Sequence, residues 1–427
     1  MDIEALHQLF LKHPNISTDS RNIPKDGIFF ALKGPNFDGN RFALEALQKG
    51  AAWAVVDAKA LESQSPRIIL VNQVLKTLQQ LATFHRKYCN TPVLALTGSN
   101  GKTTTKELLY AVLSKRFKTL ATAGNLNNDI GVPLTLLRLT TDTELAVVEM
   151  GANHLGEIAQ LCGIAQPDYG YITNFGKAHL EGFGGEAGVI KGKSEMYDYL
   201  ISAGKTIFWN VDDPIQSQKL HHYPSKFGFS TKKQVGVQQI TFLDANPYVC
   251  LGLEGTTVTT QLIGAYNFSN CAVAALAGLH FGIPVADIGQ ALSEYTPNNN
   301  RSQLLTKNGI QIILDAYNAN PSSMTAALEH FKKVEAPTKI AILGDMFELG
   351  AAAQSEHLYI GKLAQNLNLQ RLYLVGKNFE STGLSQAHYS DLEALKAELR
   401  TNPLPESAMV LIKGSRGMAL ERLLEVL

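Results

Sequence analysis

The chain has 427 residues, too long for one ordinary hydrophobic core, so two or three domains are expected. Lysine plus arginine balance aspartate plus glutamate, 38 against 38, which leaves no general positive field to gather nucleic acid or anionic membrane. A hydrophobic content of 45% with 18% charged residues excludes a disordered chain, and no apolar run approaches the roughly 20 residues that cross a bilayer.

The start, Met1-Asp2-Ile3-Glu4, lacks the basic-then-apolar plan of a secretion signal. The cysteines (Cys89, Cys162, Cys250, Cys271) form no C-x-x-C pair and read as reduced thiols. A cytoplasmic protein is expected.

Residues 1–84 read as a small α/β domain. Strands are expected at 28–32 and 52–56, and a helix at 42–49 that stops at Gly50, a natural residue just past a helix end. The second segment, 85–298, opens with the apolar strand 93–96, which runs into a Gly-rich loop and a helix from Lys102. Further buried strands at 145–148 and 169–172 alternate with helices, the pattern of a mainly parallel sheet covered on both faces. A Thr-rich stretch, 235–262, reads as an antiparallel extension, followed by helices at 268–281 and 285–295 and a linker at 297–300. From 299 to 427 a βα rhythm restarts, with strands at 310–314, 340–343, 372–375 and 409–412, which reads as a Rossmann-like domain.

Chemistry concentrates at strand ends. Gly98-Ser99-Asn100-Gly101-Lys102-Thr103-Thr104 follows a strand and starts a helix, the context a phosphate-binding loop requires. Glycines let backbone N–H groups approach phosphate, and the helix N-terminus favours its charge. Lys102 would reach the outer phosphates and Thr103 would offer its hydroxyl to Mg²⁺. The general pattern asks for a further glycine upstream, where this chain has apolar strand residues such as Ala95.

Glu149 ends the strand 145–148, where a carboxylate is well placed for metal or is simply a surface acid. His179 lies beyond a strand end, and a lone histidine is more often structural than metal-binding. Lys191 and Lys193 flank Gly192, and nothing in the local sequence separates them. The amide-rich run 125–129, the run 315–321 and Lys413-Gly414-Ser415-Arg416 each read equally as turn chemistry or as ligand contacts.

Together these motifs resemble the Mur ligase family over almost the whole chain. They come in order: phosphate loop, Asn-rich loop, Glu149-Met150-Gly151, Asn174 to His179-Leu180-Glu181, Lys193, Asn267 and Arg301. The resemblance is greatest to the branch that joins D-alanyl-D-alanine to a UDP-N-acetylmuramoyl-tripeptide. Thr18-Asp19-Ser20-Arg21, the run 317–321, the run 343–350 and Lys413 to Arg416 carry it. Relatives that add diaminopimelate or lysine have an Asp-Asn-Pro-Arg motif in the last domain, absent here. The family's loop is of the short form found at 98–103, which removes the oddity at Ala95.

The resemblance implies an ATP-dependent amide ligase of peptidoglycan precursor synthesis, working through an acyl phosphate. It implies phosphate contacts from Gly98, Ser99, Asn100, Gly101, Lys102, Thr103 and Thr104, with Asn267 and Arg301 on ATP and Asp315 near its ribose. Two Mg²⁺ sites follow, one on Thr103 and Glu149, the other on His179 and Lys193, whose amine would carry a CO₂-derived carbamate. Ser20 and Arg21 would hold the UDP-sugar, Asn127 and Asn128 the acceptor peptide, and Asn320 and Ser322 the incoming dipeptide. A monomer is expected, with no nucleic-acid partner, no membrane span and a hinge near 297–301. The competing readings are an amide ligase for another amino acid and a phosphate-loop NTPase acting as a switch.

Overall fold

The computed structural model describes residues 1–384 and 386–427. The chain divides into two compact units. Residues 1–95, 117–151 and 157–169 form the first, and residues 96–116, 152–156 and 170–427 the second.

The first unit opens with a four-stranded parallel sheet in the order Ile16–Ser17, Ile28–Phe30, Trp53–Val56, Ile68–Leu70. Phe29, Ala54 and Val56 pack against Ala43, Ala46 and Leu47 of the helix Ala43–Gln48. That helix ends as its sequence requires. Gly50 stands at φ +110°, a conformation that costs other residues dear, and the Ala51 N–H returns to the Ala46 carbonyl at 3.0 Å. The expected strand 28–32 is shorter and ends at Phe30; Ala31 N–H still donates to the Val55 carbonyl at 3.0 Å, and the Leu32 N–H turns back to that of Phe30 at 2.9 Å. A helix missed in the sequence, Val74–Cys89, packs on the helix Ile3–Lys12 and runs through position 84. Its buried positions, 74, 78, 81, 82, 85 and 86, keep a helical period, but polar His85 and Arg86 stand at two of them.

The first unit also holds the parallel pair Thr119–Ala121 and Leu145–Glu149. In the second unit strands lie side by side in the order Thr206–Asn210, Lys226–Ser230, Gln238–Ala245, Tyr248–Leu253 and Thr256–Ile263. The last three form the antiparallel extension that the Thr-rich stretch announced.

The second unit also holds a six-stranded sheet in the order Gln303–Lys307, Ile310–Asp315, Met409–Lys413, Lys339–Gly344, Arg371–Val375, Ala387–Tyr389. Only its first pair is antiparallel. Ile312, Leu314, Ile340, Ile342, Val410 and Ile412 form its core, each buried aliphatic side chain contributing ~1.5–3 kcal/mol. Parallel strands gather their C-terminal ends on one edge, so Asp315, Gly344 and Lys413 finish together. No helix among the described residues is long and apolar enough to cross a membrane.

Candidate active site

The loop 98–104 is built by close backbone approach. Gly98 stands at φ +141° and a Cβ there would collide with Thr173 Oγ1. Gly101, at φ +82°, would place a Cβ 2.6 Å from Asn270 Oδ1. Neither position admits another residue without displacing its neighbour. Lys102 opens the helix Lys102–Leu113, so the loop's N–H groups sit at a helix N-terminus, an anion site by construction. Lys102 Nζ donates to the carbonyls of Gly98 at 2.7 Å and Ser99 at 3.2 Å. Thr103 and Thr104 are both buried.

The segment after strand Tyr169–Ile172 clamps this loop. Ser99 N–H donates to the Asn174 carbonyl, Asn100 N–H to Asn174 Oδ1, and Asn174 Nδ2 back to the Asn100 carbonyl. Thr173 Oγ1 donates to the same carbonyl at 2.5 Å, and Ser99 Oγ to that of Gly176 at 2.6 Å. Asn320 reaches in from the other side, its Nδ2 donating to Asn100 Oδ1 at 2.7 Å. Its own Oδ1 accepts from Ser323 N–H and caps the helix Pro321–Lys333. Ser322 Oγ accepts the Lys177 N–H at 2.8 Å. The sequence-derived pair Asn320 and Ser322 thus meets the phosphate loop and the strand 169–172 segment.

Asn267 is buried, with Nδ2 on the Ile263 carbonyl and Oδ1 accepting from Asn270, which in turn accepts from Thr105. Arg301 lies flat over Tyr317, 3.6 Å from the ring centre, and its buried Nε makes no hydrogen bond. Asp315 accepts the Ser302 N–H at 3.1 Å and pairs with the buried Lys413 at 2.6 Å. Asp315 and Lys413, from adjacent parallel strands, therefore share one polar node.

Burial separates the two lysines that sequence could not. Lys193 is 1% exposed, donates to the Ala152 carbonyl at 3.0 Å and lies 5.0 Å from the Phe183 ring centre, whereas Lys191 is exposed. His179 Nδ1 lies 2.5 Å from Glu348 Oε2, off the N–H axis, as an ion-pair contact. The His179 contact, ahead of the cost of burial, holds the Glu348 carboxyl below its usual range.

In the first unit Glu149 is 1% exposed and accepts from Asn127 Nδ2 at 2.7 Å. The Asn128 side chain accepts from the Gly131 N–H at 2.8 Å and turns the chain into the helix Gly131–Leu136. Ser20 is buried, its carbonyl accepting from Lys49. Arg21 is exposed and forks onto Asp19 through Nε at 2.9 Å and Nη2 at 2.8 Å, which lowers the Asp19 carboxyl to about 2.

Among the described residues no three His, Cys, Asp or Glu side chains gather as a metal site. The hydroxyl of Thr103 and the carboxylate of Glu149 are hard oxygen donors of the kind Mg²⁺ takes, so those residues fit it. Lys193 as an ammonium does not, and becomes an oxygen donor only with CO₂ on its amine. Sequence reasoning left Thr173, Asn270 and Glu348 out of the site. Their distance along the chain from the loop or from His179 hid them, although Glu348 lies within the run 343–350.

A phosphate loop bracketed by two asparagines, ahead of a Rossmann-like sheet whose strand ends carry Asp315 and Lys413, defines a nucleotide-using α/β enzyme. Family models match in three stretches: "Mur ligase family, catalytic domain" at 13–86, "Mur ligase middle domain" at 96–278 and "Mur ligase, glutamate ligase domain" at 300–416. The chain is 33% identical to the UDP-N-acetylmuramoyl-tripeptide–D-alanyl-D-alanine ligase of Bacillus subtilis (strain 168), covering 96% of this chain and 92% of that one. It is similar to the solved structure of MurF from Acinetobacter baumannii, with a TM-score of 0.85 and 32% identity over 96% of this chain and 92% of the other. MurF ligase from Thermotoga maritima in complex with ADP gives a TM-score of 0.85 at 28% identity, over 98% and 97%. The chain belongs to the Mur ligase family, with that family's three-domain α/β architecture.

Proposed function

We propose that this chain is an ATP-dependent ligase that joins D-alanyl-D-alanine to UDP-N-acetylmuramoyl-tripeptide in the cytoplasm, as a step of bacterial peptidoglycan precursor synthesis. The observation that carries the assignment is the whole-length likeness to the Bacillus subtilis ligase of that name, over 96% of this chain. Three domains with limits near 84 and 298 divide the work, and the chain acts as a monomer.

A carboxylate is a poor electrophile at neutral pH. Transfer of the γ-phosphoryl group of ATP to the tripeptide's terminal carboxylate gives an acyl phosphate and ADP. The dipeptide amine then attacks the acyl carbon, the C–O bond to phosphate breaks, and an amide and inorganic phosphate leave. Two anions must meet in the first step, so positive charge has to face the transferring group. Lys102 and the N–H groups of residues 98–104 supply it. Asn267 and Arg301 contact the ATP and Asp315 its ribose. Asn320 and Ser322 lie by the incoming amine, Asn127 and Asn128 by the acceptor peptide, and Ser20 and Arg21 by the UDP-sugar.

Mg²⁺, when bound, screens phosphate charge; Thr103 and Glu149 offer oxygen donors for one ion, and His179 with carbamylated Lys193 for a second. Holding both substrates in register supplies up to roughly 7–11 kcal/mol in the best intramolecular cases. A hinge near 297–301 serves that alignment and keeps water off the acyl phosphate.

The test is ADP release with a panel of nucleotide precursors and amines. Release is expected with the tripeptide precursor plus D-Ala-D-Ala, and neither with free amino acids nor with ATP alone. Release that ignores the dipeptide would sink this reading and favour an NTPase switch.

A further inference from the structure

The segment 174–177 lies between the phosphate loop and the start of the helix Pro321–Lys333, and touches both. Gly176 makes the close approach possible. Its carbonyl accepts from Ser99 Oγ at 2.6 Å, while a Cβ on it would stand 2.9 Å from Ser322 Oγ and 3.0 Å from Asn100 Nδ2. One residue on, Lys177 N–H donates to Ser322 Oγ at 2.8 Å. Asn320, which caps the same helix, donates to Asn100 Oδ1 at 2.7 Å. This short segment thus spaces the helix from the loop.

The Lys177 side chain carries the connection further. Its Nζ donates to Glu356 Oε1 at 2.8 Å and lies 3.2 Å from Glu186 Oε1. Glu186 opens the helix Glu186–Ser202, and its side chain is 64% exposed, so water and salt screen that contact. Glu356 differs. Its side chain is 14% exposed, on the helix Ala353–Gln365 that packs beside Pro321–Lys333. A carboxylate so enclosed is costly to leave without its cation, so the pair ties segment 174–177 to both helices. Lys177, Ser322, Thr325, Glu329, Glu356 and Tyr359 line a cavity of about 340 Å³ along this contact.

We infer that Lys177 is a positioning residue for the incoming amine: its ammonium, fixed on Glu356, sets how close Asn320 and Ser322 stand to the phosphate loop. The two backbone-level contacts, at Gly176 and at the Lys177 N–H, bring helix and loop together at one point only. The ion pair adds a second point, and two points fix an orientation. With the pair removed, the helix start can pivot on Ser322, and the amine loses its line to the acyl carbon while water gains access. That the dipeptide meets Asn320 and Ser322 rests on the ligase reading, whereas the spacing of helix and loop belongs to the protein without substrates.

The test compares the full chain with Lys177→Met, Glu356→Gln and the double variant. Without substrates, amide hydrogen exchange read by mass spectrometry should quicken in peptides spanning 174–177 and 320–323 in all three. With ATP, the tripeptide precursor and D-Ala-D-Ala, each single variant should raise the KM for the dipeptide about tenfold, the worth of one charged hydrogen bond. The KM for ATP should stay within about twofold, and more ADP than amide should be released. The double variant should lose no more than the worse single one, because both substitutions remove the same pair. Lys177→Arg, which keeps the charge, should keep most of the rate. Should Lys177→Met not fold, Glu356→Gln, which keeps the size of the side chain, carries the same expectation. Unchanged exchange in Glu356→Gln overturns the inference, as do losses that multiply in the double variant or fall equally on ATP and dipeptide. A parent protein without dipeptide-dependent ADP release overturns the ligase reading alone and leaves the exchange result standing.

Discussion

The phosphate loop at 98–104 and the segment 18–21 are both read as binding regions, yet they are built in opposite ways. The loop is defined by backbone: two glycines at positive φ, each with a neighbour where its Cβ would be, and the Asn100 N–H and carbonyl both held by the Asn174 side chain. The segment 18–21 is defined by side chains at the surface, where Arg21 is held by Asp19 two residues away. Backbone-built sites leave a short, rigid signature in sequence. Side-chain-built sites leave one arginine among many.

If that contrast is right, the loop should be the less forgiving of the two. Gly98→Ala forces a Cβ into Thr173 and a methyl onto a φ of +141°, a strain of about 1–3 kcal/mol before the clash is counted. ATP turnover is expected to fall below detection, with calorimetry showing no nucleotide binding; normal binding would break the comparison outright.

Lys193→Ala is the next largest effect, on the order of a hundredfold or more in kcat, the scale of losing one charged group at a reacting centre. Lys191→Ala, two residues away and exposed, should stay within about twofold. Short-chain carboxylic acids added to Lys193→Ala should restore part of the rate if a carbamate is what the lysine carries. Equal losses at the two lysines would count against the role given to burial.

Arg21→Ala should raise the KM for the nucleotide-sugar about tenfold, the value of one charged hydrogen bond, with the KM for ATP unchanged. Stability should stay essentially unchanged, because the Asp19 pair is exposed to solvent. An altered ATP KM would show that the two regions are not independent.

The smallest effect concerns pH. In the first unit His7 and His85 are buried, with His7 Nε2 3.0 Å from His85 Nδ1. Burial, aided for His7 by His85, lowers the affinity of both for protons below the ordinary 6.5. The unfolded chain therefore binds more protons, so their contribution is complete above about pH 6.5 and is lost as pH falls through the lower folded values. Thermal midpoints measured from pH 7.5 to 5 should decline, and His7→Gln should flatten that decline. An acid loss unchanged in His7→Gln would assign it to other groups.

The strands foreseen were legible because a buried parallel strand is a short apolar run, but the parallel strands Ile68–Leu70, Thr119–Ala121, Thr206–Asn210 and Lys226–Ser230 were not foreseen. The strand at 93–97, the helix from Lys102 and the sheet from 310 to 413 all follow from local composition. The helix Val74–Cys89 was not foreseen, although its buried positions keep a helical period; polar His85 and Arg86 stand at two of them. Within the site, the glycines and Lys102 were legible because their roles are set within six residues. Asn128 was read as either a turn former or a ligand contact, and its side chain accepts from the Gly131 N–H, a turn contact just before the helix Gly131–Leu136.

By itself, then, the sequence determined the α/β class, the phosphate loop and the family, since each depends on neighbours in the chain. Tertiary structure alone decided that Lys193 and not Lys191 is enclosed, that Asn320 reaches Asn100, and that Glu348 reaches His179. Those facts depend on which distant strands end side by side, and on where a helix or loop is then carried, which no local pattern encodes.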